Sequence, residues 1–333
     1  METIRRSLSC YRNELKGIAI LWVVFFHAQL GLDGIWYQIQ RIGYGGVDIF
    51  FFLSGFGLYH SLEKDADLGR YLRRRGERLL PAYLPFCLLW LAVMLPLHGA
   101  GLASSIRIAL GNLTMSGYFA GAELNINWYV SGMALSLLLA PVFHAVLRAG
   151  KRFWLRASAL IGFLFALGLG YVGNEQYMAI SRLPVFALGM VFAAPQSEKI
   201  SAKKAAFALT SACIAGLAVL FLCLERYQEM LITYAMYWHP FVVIAPALCV
   251  GLSLLFSKVP DMVNKPFGWL GKASFEIFLF NVWAELLGKR FGLADTPMTW
   301  VFWSLASIAA GLAYHWVVGR FLLFCKQKLE KRG

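Results

Sequence analysis

The chain has 333 residues, 59% of them hydrophobic and only 15% charged, with a net charge of +13 and a mean hydropathy of +0.62. A soluble domain carries about 25% charged residues, so this chain has too few to cover a water-facing surface, and its apolar residues fall in blocks near the roughly 20 residues that cross a bilayer. The excess of basic residues does not indicate nucleic acid, because it sits between hydrophobic blocks, where topology signals and anionic headgroups account for it. The six cysteines are scattered without CxxC spacing, which suggests neither a disulfide framework nor a metal site.

Hydropathy predicts an all-α polytopic membrane protein, a single domain over 1–333. Its ten spans fall near 15–31, 44–60, 80–97, 128–147, 154–172, 180–194, 205–224, 238–256, 269–287 and 298–324. The first block follows arginines as a signal peptide would, but the further spans and the histidine near its end favour an uncleaved helix. With both termini cytoplasmic, 25 of the 31 Lys and Arg fall in the inner segments. The outer connections keep only Arg41, Arg107, Arg182, Arg226, Lys289 and Arg290. That alternation through every loop supports the ten-span topology. The longest outer connection, 97–127, contains an amphipathic stretch at 105–120, expected as an interfacial helix or a cover.

Ionisable groups inside spans are costly and therefore functional candidates. On the first span Lys16 and His27 are eleven residues apart, so they share a helix face and differ in height by about 16 Å. Lys16 is expected at the inner headgroups and His27 beyond the midplane. A neutral imidazole there can take a proton from a hydroxyl, or simply hydrogen-bond within the bundle. The second span opens with Gly43-Tyr-Gly-Gly-Val-Asp48-Ile-Phe-Phe-Phe-Leu-Ser54-Gly55-Phe56, which puts Asp48 about 6 Å below its outer end. At that depth Asp48 is expected either to orient His27 or to cap or pair near the interface. Gly45, Gly46, Gly55 and Gly57 suit close helix approach.

Between the second and third spans runs Arg70-Tyr-Leu-Arg73-Arg74-Arg75-Gly-Glu-Arg78-Leu-Leu-Pro81. It reads either as a topology determinant or as a clamp for a phosphorylated donor, since guanidinium binds phosphate bidentately.

Taken together, these motifs resemble the acyltransferase family 3 membrane proteins: Lys16-x10-His27, the Gly-Gly-Val-Asp-Ile-Phe-Phe-Phe-Leu-Ser-Gly-Phe run, and Arg75-x2-Arg78-x2-Pro81. Trp128-Tyr129 at the fourth span, Arg182-Leu-Pro184 at the sixth and Leu270-Gly-Lys-Ala-Ser274 near the ninth extend the likeness over almost the whole chain. The resemblance implies transfer of an acyl group, usually acetyl from acetyl-CoA, to a hydroxyl of a cell-envelope carbohydrate, in the inner or plasma membrane. It makes His27 the essential histidine, Lys16 its paired basic position, and Arg75 and Arg78 the family's arginine pair. With the depth argument for Asp48, His27 and Asp48 are the expected catalytic residues and Lys16, Arg75 and Arg78 the expected donor-binding cations. Ser54, Trp128, Tyr129, Arg182 and Asn281 are substrate-binding or structural candidates. Acyl-CoA enters as donor substrate, and no tightly bound cofactor or metal is expected.

Two departures stand out. The fourth-span segment Trp128-Tyr-Val-Ser131-Gly-Met-Ala-Leu135 lacks the acid of the Ser-x-x-x-Glu found in many members. The ninth span has Asn281, with Glu276 one turn earlier, where members often have histidine; Asn281 cannot act as a base, so no catalytic role is expected of it. The alternative reading from another class is a transporter or small-molecule sensor built on the same buried polar groups.

Overall fold

The computed structural model describes residues 2–195, 202–293 and 296–330, and these form helices without any strand. In chain order the helices are α1 (Glu2–Cys10), α2 (Arg12–His27), α3 (Gly34–Arg41), α4 (Gly45–Lys64), α5 (Leu68–His98), α6 (Leu102–Leu113), α7 (Trp128–Arg148) and α8 (Phe153–Gly170). They continue with α9 (Tyr177–Ile180), α10 (Leu183–Ala193), α11 (Ala202–Glu225), α12 (Gln228–Thr233), α13 (Phe241–Phe256), α14 (Asp261–Lys272), α15 (Ser274–Arg290) and α16 (Pro297–Glu330). Nine of the ten hydropathy segments fall mainly on one helix each; the segment 269–287 starts in α14 and continues in α15 beyond a break at Ala273. Lys199, Lys331 and Arg332, counted in the inner charge, lie outside the described residues.

Among the described residues, five helices are long and apolar enough to cross a membrane: α5, α7, α8, α11 and α16. A sixth arises if α3 and α4, bent by 43°, make one span. The other segments are shorter: α2 and α13 have 16 residues, α15 has 17 and α10 has 11. Sixteen residues rise only about 24 Å, less than a hydrocarbon core of about 30 Å. The chain is a multi-pass membrane protein of at least these long helices, and the shorter ones pack into its interior.

The centre of the bundle is α4. From Gly45 to Leu53 every residue of this helix is buried, as expected for a helix that is apolar on all sides. Its neighbours reach it through small residues. A Cβ on Gly55 would fall on the Phe186 carbonyl of α10, and one on Gly189 would fall on the Phe52 carbonyl of α4, so the two backbones touch at this crossing. On the opposite side α2 lies between α4 and α14. A Cβ on Gly17 would strike the Phe267 backbone, and one on Gly271 the Asn13 carbonyl.

The outer connection is built around Asn112, at the end of α6. Its carbonyl accepts from the Tyr83 hydroxyl of α5 (2.6 Å), its side-chain amide donates to the Leu124 carbonyl (2.9 Å), and its side-chain oxygen accepts from the Ile126 amide (2.8 Å). The expected amphipathic element is therefore the helix 102–113 followed by an ordered turn, fixed against α5.

Gly189→Ala should lower the unfolding free energy by about 1–3 kcal/mol, because the added methyl meets backbone that cannot yield. Gly162→Ala in α8, where nothing lies within 4 Å, should be neutral or stabilising by up to about 1 kcal/mol. Unfolding of the two variants in detergent, side by side, checks the crossing.

Candidate functional site

At one end of α2, Arg12 and Lys16 face a cavity of about 520 Å³ between α2, α5, α7, α15 and α16. Arg75 and Arg78 of α5 and Lys272 at the end of α14 complete a basic lining, against which Glu276 is the one acidic residue. Glu276 is itself engaged, accepting from His315 Nδ1 at 2.9 Å. Among the described residues none of Arg12, Lys16, Arg75, Arg78 or Lys272 forms an ion pair. Basic side chains gathered around one space repel one another when charged, and a polyanion would relieve that repulsion.

The arginine run divides by function. Arg70 and Arg74 pair with Asp65 (both 3.1 Å) and Arg73 with Glu77 (2.7 Å). The Asp67 amide, with Arg70 and Arg74 beside it, holds the Asp65 carboxyl below its ordinary range. Arg75 and Arg78 point the other way, into the cavity. Arg75 donates to Ser61 Oγ (2.5 Å) and lies over the Tyr71 ring. Arg12 is aimed by Gly57: its guanidinium occupies the place where any Cβ would stand.

A smaller chamber of about 90 Å³ continues from this cavity into the bundle. Lys16, Ser54, Tyr129, Ser274 and Phe275 line both spaces, while Phe50 and Phe278 line only the inner one. Tyr129 closes that end, its ring 4.6 Å from Phe278 and 6.1 Å from Phe50 between centroids. The Asn127 side chain caps α7 by accepting from the Tyr129 amide (2.7 Å), which fixes this residue at the helix start.

At the other end of α2, His27 Nδ1 lies 2.6 Å from Glu285 Oε2, and Lys289 Nζ lies 2.6 Å from Glu285 Oε1. The two side chains of the His27–Glu285 pair are 25% and 21% exposed, so the pair is only partly covered by the bundle. The Gln40 amide donates to the Phe25 carbonyl (2.9 Å) and to that of Ala28, tying off the last turn of α2 around His27. Glu285 stands eleven residues beyond Ser274, as His27 stands eleven beyond Lys16. Both pairs therefore span about 16 Å, and both lower members line the inner chamber.

Asp48 does not orient His27. It pairs with Arg182, Oδ1 to Nε at 3.5 Å, and each residue is 1% exposed. Arg182 lies 5.0 Å from the Trp128 ring and 5.9 Å from Trp238, and donates to the Met178 carbonyl (3.0 Å) and Ser181 Oγ (2.9 Å). The expectation that α2 and α4 are neighbours holds, but helix rotation turns Asp48 toward α10 and leaves α15 to supply the carboxylate. Asn281 is buried, and its Oδ1 accepts from Ser307 Oγ (3.4 Å). Of the predicted residues, Lys16, Arg75, Arg78, Ser54 and Tyr129 meet at the cavity. Arg182, Trp128 and Asp48 form a separate cluster, and His27 stands at the far end of α2 with Glu285. Glu285 was not among the predicted residues, although it lies inside the ninth predicted segment, 269–287, where an ionisable group is a candidate. The matching eleven-residue spacing was the available signal.

A family model described as an acyltransferase domain matches residues 13–317. No curated protein and no solved structure matches the chain.

Removing one partner of the Asp48–Arg182 pair strands the other charge in the interior. Arg182→Met should therefore cost about 3–5 kcal/mol of stability, and Asp48→Asn/Arg182→Met should recover much of that loss. A double-mutant cycle on unfolding in detergent measures the coupling; additive losses would mean the pair does not hold the bundle.

Proposed function

Because the chain belongs to this acyltransferase domain family, we propose that it moves an acetyl group from acetyl-CoA to a hydroxyl of a cell-envelope carbohydrate. The observation that carries the proposal is the arrangement along α2: an unpaired basic cavity at one end and a partly exposed histidine–carboxylate pair at the other. A donor bearing several phosphates on a long, flexible arm suits a separation of about 16 Å. In this reading Arg75, Arg78, Lys16 and Arg12 hold the phosphates, and the pantetheine arm runs along the cavity toward the inner chamber. Tyr129 and Phe278 close the last part of the path, so delivery of the thioester to His27 requires these rings to turn aside.

Glu285 accepts from His27 Nδ1–H and presents Nε2 as the base. His27 removes the proton from the sugar hydroxyl, whose oxygen attacks the thioester carbonyl carbon. The tetrahedral intermediate collapses with cleavage of the carbon–sulfur bond, and the CoA thiolate leaves and takes the proton back from His27. Atoms and charge balance without a further reactant. The products are an O-acetyl ester and free CoA.

The same reading places ten spans in the inner or plasma membrane with both termini in the cytoplasm, so that the basic cavity opens toward the cytoplasmic CoA pool. The 25 to 6 distribution of Lys and Arg supports this orientation. The short helices α2, α10, α13 and α15 then cross within the bundle, shielded from lipid by the longer ones.

In nanodiscs with labelled acetyl-CoA and an envelope glycan extract, label should reach glycan. His27→Ala should slow transfer by about 10²–10⁴-fold. Glu285→Gln should lower kcat and leave donor KM nearly unchanged, whereas Asp48→Asn should not mimic it. Arg75→Ala/Arg78→Ala should raise donor KM by tenfold or more, as expected from losing charge-assisted bonds of about 1.5–3 kcal/mol each. If the protein binds acetyl-CoA but no acceptor takes label, the carbohydrate assignment fails; if acetyl-CoA does not bind, the donor assignment fails. For the topology, in a cysteine-free background, Lys151→Cys should react with an impermeant maleimide only after the membrane is opened. Asn174→Cys should react in sealed cells, and the reverse pattern would invert the orientation.

A further inference from the structure

The way the cavity ends bears on which acyl group the protein accepts, given the donor reading above. Five residues line both the basic cavity of about 520 Å³ and the inner chamber of about 90 Å³, so the two spaces lie directly against each other. The wide part is basic, as an anionic head requires. The narrow part changes character: beyond Lys16, Ser54 and Ser274 it is bounded by rings. Phe50, Tyr129 and Phe278 are 5%, 7% and 3% exposed, and the Tyr129 ring packs against both of the others. Phe51 is packed edge-on against Tyr129, with ring centroids 5.7 Å apart, so the tyrosine turns aside only if its neighbours move with it. On α15 Phe278 stands seven residues below Glu285, about 10 Å along the helix. Any acyl group travelling from the basic cavity to the His27–Glu285 pair meets these rings first.

We propose that Phe50, Tyr129 and Phe278 determine acyl chain length, with the inner chamber taking the acyl end of the donor and admitting a short chain while excluding a long one. The hydroxyls of Ser54 and Ser274 at the mouth of the chamber suit a thioester carbonyl, and the ring-lined end suits a methyl group. Each further methylene must either displace a ring in a closely packed interior or remain in the polar mouth. A pocket of fixed size discriminates one methylene by about 10–200-fold, and the same order is expected once the chamber is full. Phe278 is the most informative position, because it lines the inner chamber and not the wide cavity.

The test is binding to the full-length protein in nanodiscs, read by displacement of labelled acetyl-CoA with unlabelled acetyl-, butyryl- and hexanoyl-CoA, so that no acceptor is needed. Wild type should bind hexanoyl-CoA at least tenfold more weakly than acetyl-CoA. Phe278→Ala should abolish that gap, and Phe278→Leu, a smaller change to the packing, should narrow it. Phe50→Ala should act in the same direction. Arg75→Ala should weaken all three donors alike and leave their ratios unchanged. Equal affinity of wild type for acetyl- and hexanoyl-CoA, or ratios unmoved in folded Phe278→Leu and Phe50→Ala, would overturn the length assignment and leave the donor reading intact. Failure of wild type to bind any acyl-CoA would overturn both.

Discussion

A carboxylate and a guanidinium, each 1% exposed, face one another at the centre of the bundle, and the positions of the functional groups depend on that pairing. A lone charge there would cost several kcal/mol, so Asp48 can be tolerated on the buried helix α4 only if Arg182 reaches it. Two tryptophan faces complete the setting of Arg182. The pair fixes α4 in rotation against the start of α10, and the glycine crossing at Gly55 and Gly189 fixes it in depth. With α4 held, α2 is set against its other side by Gly46, where a Cβ would strike the Ala19 carbonyl. The directions of Lys16 and His27 follow from that contact.

Charge is used in two ways along the chain. Near the connection of α4 to α5, Asp65 and Glu77 engage Arg70, Arg73 and Arg74, which keeps those cations at the surface. On the same helix, Arg75 and Arg78 form no ion pair among the described residues and join Arg12, Lys16 and Lys272 around one space. Mutual repulsion in such a cluster is unfavourable in the empty protein. It is the kind of local instability that a ligand of opposite charge removes, so the stability spent there is returned on binding. Glu276, held by His315, tempers the cluster without neutralising it.

The inner end of the cavity and the His27–Glu285 pair are connected by helix geometry and separated by side chains. α2 and α15 run side by side and carry matching spacings, so the groups at their two ends are held at constant separation by backbone hydrogen bonds. Between them the aromatic residues of α4, α7 and α15 close the path.

From the sequence alone, the helical class, the ten apolar segments, the basic run and the Lys16–His27 spacing were legible, because each depends on composition or on a period within one helix. The likeness to the acyltransferase family was legible from ordered short motifs, and the matched family model agrees with it. The partner of His27 was not. Whether Asp48 or Glu285 meets the imidazole depends on the rotation of α4 and α15 about their axes, which packing against Arg182 and α10 determines and no local period records. Composition and local period did not separate Arg75 and Arg78 from Arg70, Arg73 and Arg74, since all five lie within nine residues; only the family-like motif singled the two out, and what stands across from each arginine is decided by packing. Residues far apart in the chain become neighbours through tertiary packing, and it is those neighbours that turn a list of candidate groups into a histidine with its carboxylate, a basic cavity and an aromatic-lined chamber beside it.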